Sequence, residues 1–296
     1  MTRTQAIERK SVIVHELAMA YLEAGAGDPI VFLHGNPTSS HLWRNVIPHL
    51  ADLARCVAPD LIGMGNSDKL ADSGPGRYRL VEHLRFLDGF LDAMAFERPV
   101  TLVLHDWGGP LGFDWARRHR DAVRGIAYME TIVRTFEWSD WRPEARPRIE
   151  RLRSPEGERM MLEENFFLED MLPNALIDPL SEADLAAYRR PYLEPGEARR
   201  PTLVWPRELP IDGAPADVTE IVRASTRWLA GASVPKLLIR AEPGAILTGN
   251  ALAACRRWPN QREVEVPGKH YVPEDSPAHV GRAVAAWYHA LPTSTD

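Results

Sequence analysis

Short apolar runs alternate along the chain with stretches whose apolar residues recur every three or four positions. Val12 to His15 and Met19 to Glu23 read as an opening antiparallel pair of strands. Ile30 to Leu33, Arg55 to Ala58, Val100 to Leu104, Gly125 to Met129, Lys236 to Arg240 and Val264 to Val266 read as further strands. Leu80 to Ala95 carries Leu84, Leu87, Leu91 and Met94 at helical spacing, and a final helix is expected from about Pro277 to Ala290. Alternating β and α units predict an α/β protein with a mostly parallel central sheet covered by helices on both faces.

From Ile132 to Asp212 the pattern changes. Glu163 to Leu172 and Ser181 to Tyr188 look helical, and Ser181-Glu182-Ala183-Asp184 is a helix-start signal. Pro and Arg are dense from Arg142 to Arg153 and from Pro191 to Pro210, with no strand pattern between them. The expected organisation is a core of residues 1–131 and 213–296, interrupted by a helical cap over 132–212. Ligands of open α/β sheets bind at the carboxyl ends of the strands, so such a cap would roof a site.

The 296 residues are 45% hydrophobic and 26% charged, an ordinary globular composition. A net charge of −6 argues against nucleic acid or an anionic membrane as partner. Cys56 and Cys255 are far apart and lack metal-ligand spacing, so buried thiols are expected rather than a disulfide or a metal site. The N-terminal residues show no apolar leader pattern, and no stretch approaches 18 apolar residues. A cytoplasmic location is the default expectation.

The strand at Val100 breaks into His105-Asp106-Trp107-Gly108-Gly109 and then into a helical pattern. Strand, tight turn and helix with one reactive residue at the turn form a nucleophile elbow, and here the central residue is Asp106. Asp also favours helix N-caps, which is the bland reading. A carboxylate is poorly suited to opening esters or amides. It suits displacement of a leaving group from saturated carbon, giving an enzyme ester that water must then hydrolyse. Asn36, Glu130 and His270 also stand just after strands, and the order nucleophile, acid, histidine is that of the α/β-hydrolase fold. His270 is the candidate base for water. His34 and His105 are expected to hydrogen-bond around their loops. Glu130 and Glu242 both end strands and compete to orient His270. The indole N–H of Trp107 and the amide of Asn36 are placed to receive a halide, and the backbone N–H groups of both to hold an oxyanion.

His34-Gly35-Asn36-Pro37-Thr38-Ser39-Ser40, Asp60-Leu61-Ile62-Gly63-Met64-Gly65, His105-Asp106-Trp107-Gly108 and Arg200-Pro201-Thr202-Leu203-Val204-Trp205-Pro206-Arg207 together resemble the haloalkane dehalogenase family over nearly the whole chain. The likeness is to its branch typified by the Rhodococcus and sphingomonad enzymes. The resemblance implies that Asp106 is the nucleophile, His270 the base, Glu130 its acid, and Asn36 with Trp107 the halide cradle. It implies an apolar pocket at Phe136, Trp141, Phe166, Phe167, Ala175, Pro206, Leu209, Ile246, Leu247 and Tyr271. It also implies a small halogenated substrate, a halide ion as product, no metal or organic cofactor, and a monomer. Tyr271 stands where relatives often carry Phe, and the small Ala175 suggests a wide entrance tolerant of bulky substrates. Three rivals remain: an epoxide hydrolase using Tyr188 or Tyr192 as acid, a coelenterazine-type luciferase on the same fold, and a non-catalytic ligand receptor.

Overall fold

The computed structural model of the chain describes residues 6–141 and 143–292. The first five residues, part of the segment without a leader pattern, and Arg142, which opens the Pro- and Arg-dense stretch, lie outside the described residues. The strands are β1 (Glu8–Val14), β2 (Leu17–Ala24), β3 (Pro29–Leu33), β4 (Arg55–Pro59), β5 (Val100–Asp106), β6 (Val123–Thr131), β7 (Lys236–Pro243) and β8 (Gln261–Gly268). They form one sheet in the order β1-β2-β4-β3-β5-β6-β7-β8. β1 and β2 pair antiparallel, as do β2 and β4, and every pairing from β4 to β8 is parallel. The expected α/β-hydrolase architecture is thus the observed one.

β3, Leu102 to Leu104 of β5 and the middle of β6 are apolar because both faces of the sheet are covered. Val31 and Leu33 of β3 join one core cluster, Ile30 and Phe32 the other. The first cluster is completed by α1 (Leu80–Met94), α2 (Gly108–Arg118) and α8 (Ala216–Gly231), and the second by α11 (Pro277–His289). Strand order reverses between β3 and β5, since β4 lies outside β3 while β6 lies outside β5. A crevice opens at the carboxyl ends of the strands at such a switch point, and Asn36 and Asp106 stand there.

The segment between β6 and α8 contains α3 (Arg146–Arg153), α4 (Glu156–Glu158), α5 (Leu172–Asn174), α6 (Glu182–Arg189) and α7 (Arg200–Glu208). The helical reading of Glu163 to Leu172 is corrected in detail. Arg159–Glu163 and Phe167–Met171 are π-helical turns, separated at Asn165, whose φ is 53°. The Ser181 hydroxyl caps α6 by accepting the Asp184 N–H at 3.1 Å. The two ends of the segment meet: Phe136 N–H donates to Pro210 O and Asp212 N–H to Phe136 O, each at 2.9 Å. Arg44 grips Glu274 through two hydrogen bonds of 2.6 and 2.9 Å and also reaches Asp184 of α6. Glu208 of α7 accepts both Arg79 Nε and the Leu80 N–H at 2.9 Å, satisfying an open donor at the start of α1. Two further helices, α9 (Gly249–Cys255) and α10 (Val272–Asp275), flank β8. Among the described residues no helix is long and apolar enough to cross a membrane.

Candidate active site

Asp106 ends β5 with a positive φ of 50°, and α2 begins two residues later. Such a conformation costs a non-glycine residue of order 1–2 kcal/mol and is found mostly where function needs it. The neighbours make room for the turn. A Cβ on Gly35 would stand 2.1 Å from Asp106 Oδ1, and one on Gly108 would stand 2.2 Å from the Leu33 carbonyl oxygen. The Thr131 hydroxyl donates to the Asp106 carbonyl and braces the elbow from β6. Asp106 does not serve as a helix cap. Its Oδ1 accepts the Asn36 N–H at 2.7 Å, and its Oδ2 lies 3.4 Å from His270 Nε2.

His270 follows β8 with 12% of its side chain exposed, and its other nitrogen, Nδ1, lies 3.5 Å from Glu130 Oε2. Glu130 is fully buried and has a φ of 39°. The loop after β7 wraps its carboxylate: Ala245 and Ile246 donate their N–H groups to Oε2 at 2.9 Å, and the Leu247 N–H reaches Oε1 at 3.4 Å. Two strand ends and one loop therefore hold the carboxylate that faces His270. Glu242, the competing acid, is corrected by its position. Its side chain is 55% exposed and pairs with Arg240, away from the imidazole.

The electrostatics follow from this burial. Desolvation works against a charged His270, but the hydrogen bonds and charges of Asp106 and Glu130 outweigh it and raise its pKa to about 9. Burial pushes the Asp106 carboxyl up, yet His270 and the Asn36 N–H prevail and hold it below the usual carboxylate range. His105, fully buried, is pushed down to about 3 by desolvation and by His270. It stays neutral and donates to the His270 carbonyl oxygen at 2.7 Å. His34 donates to Gly35 O and accepts the Leu61 N–H, so both histidines act as loop braces. Cys56 and Cys255 are free and buried, with thiols pushed up by burial to about 12 and about 11.

Asp106 and His270 open into a cavity of about 190 Å³ whose wall includes Asn36, Trp107, Trp141, Phe167, Ala175, Pro206, Leu209, Ile246 and Tyr271. Asn36 Nδ2 donates one of its two hydrogens to the Thr202 carbonyl at 3.1 Å, leaving the other unspent. The Trp107 ring stacks on Trp205 at 4.7 Å, and Trp205 stacks on His83 at 4.4 Å, so the indole is held in one plane. Three expected wall residues lie elsewhere. Phe136 lines a separate, more polar groove shared with Trp141, Phe166 packs against the core, and Leu247 is buried within the loop that wraps Glu130. Ile149, Leu152, Met171 and Ala245 take their places. Ile149 and Leu152 are three apart on α3, and the helical period there would have pointed to both. Tyr188 and Tyr192, the candidate acids of the epoxide reading, are absent from the cavity wall. Both are buried in a cluster with Leu168, Leu172 and Leu176, and the Tyr188 hydroxyl donates to Glu274.

Residues 28–154 match the family model for the alpha/beta hydrolase fold. A haloalkane dehalogenase from Sphingobium indicum is 53% identical over 284 residues, covering 96% of each chain. One from Mycolicibacterium smegmatis is 52% identical over 274 residues, covering 92% of this chain and 88% of that protein. Among solved structures, haloalkane dehalogenase DbeA from Bradyrhizobium elkani superposes with a TM-score of 0.91 at 40% identity, covering 96% of this chain and 98% of that one. DatA from Agrobacterium tumefaciens superposes with a TM-score of 0.90 at 36% identity, covering 97% and 98%.

Proposed function

Because the chain belongs to the haloalkane dehalogenase family, hydrolases of carbon–halogen bonds, we propose that it carries out that hydrolysis with Asp106, His270 and Glu130, on small apolar halogenated substrates roofed by a cap of residues 132–212. The observation that carries the reading is His270 standing between two buried carboxylates, one of which faces an apolar cavity. Asp106 Oδ2, which takes no backbone N–H and has only the His270 imidazole beside it at 3.4 Å, attacks the halogen-bearing carbon. The carbon–halogen bond breaks with its electron pair on the halide, which leaves towards the Asn36 amide and the Trp107 indole N–H. The product of this step is an alkyl ester of Asp106.

The ester has no charge to offer His270, so the imidazolium loses the nearer of its two anionic partners, its pKa falls, and it releases its proton to solvent. The neutral ring then takes a proton from water, and the resulting hydroxide attacks Cγ of Asp106. Oδ1, already holding the Asn36 N–H at 2.7 Å, is the oxygen on which negative charge develops. Each donor aimed at such an oxyanion is typically worth about 3 kcal/mol in the transition state. Collapse of the tetrahedral centre releases the alcohol and restores the carboxylate. Glu130 holds the imidazole's orientation and balances the imidazolium. The meeting of Phe136 with Pro210 and Asp212 supports the boundaries given to the cap, since there the segment leaves and rejoins the core.

Replacement of His270 by Phe tests the two steps separately. With 1-bromobutane, the variant's intact mass should rise by one butyl group and stay there. An unmodified mass with an unobstructed cavity would contradict the covalent route.

A further inference from the structure

Asn36 is held from three directions by three different segments. Its N–H donates to Asp106 Oδ1 at 2.7 Å, its side-chain Nδ2 donates to Thr202 O of α7 at 3.1 Å, and its carbonyl oxygen accepts the Tyr271 hydroxyl at 3.0 Å. The third bond has no substitute within its peptide unit, because the next residue is Pro37, which has no N–H. Tyr271 is fully buried and lines the cavity. Its ring packs edge-on against His270 at 4.6 Å and lies 5.8 Å from His105.

We propose that Tyr271 is a positioning residue for halide departure: its hydroxyl fixes the Asn36 main chain, and through it the amide donor, to the same segment that carries His270. The inference rests on the reading of Asn36 and Trp107 as the halide seat. A side-chain amide can point at a small anion only as well as its backbone is fixed, and this backbone is fixed at one end by the nucleophile itself. Loss of the hydroxyl leaves the carbonyl of Asn36 buried without that donor, and the residue is free to pivot about the two bonds that remain. Burial and the charge of Asp106 keep the phenol protonated well beyond its ordinary range, so it donates throughout the working pH range. Phe at this position would fill the same space and leave Asn36 without this anchor.

Tyr271→Phe removes one oxygen and keeps the ring against His270. Bromide is titrated into the protein while tryptophan fluorescence is followed, and the Kd should rise about fivefold, the effect of one neutral hydrogen bond. Alkylation should slow more for 1-chlorobutane than for 1-iodobutane, because the poorer leaving group depends more on the donors. A lower Tm with unchanged bromide Kd, or equal slowing of chloride and iodide, would reduce Tyr271 to a structural role and overturn the proposal. Asn36→Ala and Trp107→Leu separate the two levels of the argument. Both should abolish bromide binding. If they bind bromide like the unaltered protein, the halide seat itself is wrong and the proposal falls with it. If they lose binding while Tyr271→Phe retains it, only the role of Tyr271 is refuted.

Discussion

Asp106→Asn removes one of the two charges that flank His270 while keeping the size of the side chain. At the 3.4 Å separation of His270 Nε2 from Asp106 Oδ2, an effective dielectric of about 20 makes the attraction worth about 5 kcal/mol. At 1.36 kcal/mol per unit, that is about 3.5 pKa units. The imidazole, held at about 9 by its two carboxylates, should therefore titrate in the variant at about 5 to 6, since desolvation now faces Glu130 alone. Alkylation of Asp106 removes the same charge, so the value in the variant is the value expected in the ester. The base would then be a product of the first step: an imidazolium in the resting protein and a neutral imidazole once the ester forms. The assay is a titration of the histidine Cε1–H resonances over roughly pH 4 to 10, with the signal assigned by its loss in His270→Gln. A His270 that still titrates above about 8 in Asp106→Asn, or at its ordinary value of about 6.5 in the unaltered protein, would refute the reasoning.

The same pair sets a pH dependence of stability. His270 has a folded pKa of about 9 against about 6.5 in an unfolded chain, so its contribution is complete below the lower value and is lost as pH rises through the upper one. The full contribution is about 3 kcal/mol, and the advantage of the unaltered protein over His270→Gln in urea melts should shrink by about that much across the window. A constant difference would contradict it. Glu130→Gln should spare the first step but slow ester hydrolysis about 100-fold or more, seen as a burst of halide followed by a stall. Equal loss in both steps would remove the orienting role. Ala175→Leu adds bulk to the wall of a cavity of about 190 Å³ and should slow branched bromoalkanes more than 1-bromobutane. Equal slowing of both would end the idea that Ala175 widens the access.

The core strands were legible because both of their faces are buried. A run such as Ile30 to Leu33 has no polar alternative, and its position in the sheet leaves none. The elbow was legible because close approaches demand glycines in fixed places: Gly35 against the Asp106 carboxylate, Gly108 against the Leu33 carbonyl and Gly109 against the Thr131 hydroxyl. Choosing between Glu130 and Glu242 was beyond periodicity, since both end strands. The difference lies in the loop 245–247, whose N–H groups turn inward onto one carboxylate and not the other. The cap was legible as helical but not in phase. Each π-helical turn inserts an extra residue and shifts which side chain faces inward; one ends at Glu163, before Phe166, and the next begins at Phe167. Adjacent helical residues point about 100° apart, so only Phe167 reaches the cavity. The Tyr271 hydroxyl bond joins residues 235 positions apart and left no trace in local pattern.

Solvent oxygen in a single turnover tests the covalent route most directly. With enzyme in excess over 1-bromobutane in water enriched in oxygen-18, the butanol should carry ordinary oxygen, taken from the Asp106 carboxylate. The peptide containing Asp106 should carry the label. Label in the alcohol and none in that peptide would mean that water attacks the substrate carbon directly, and the two-step account would be wrong.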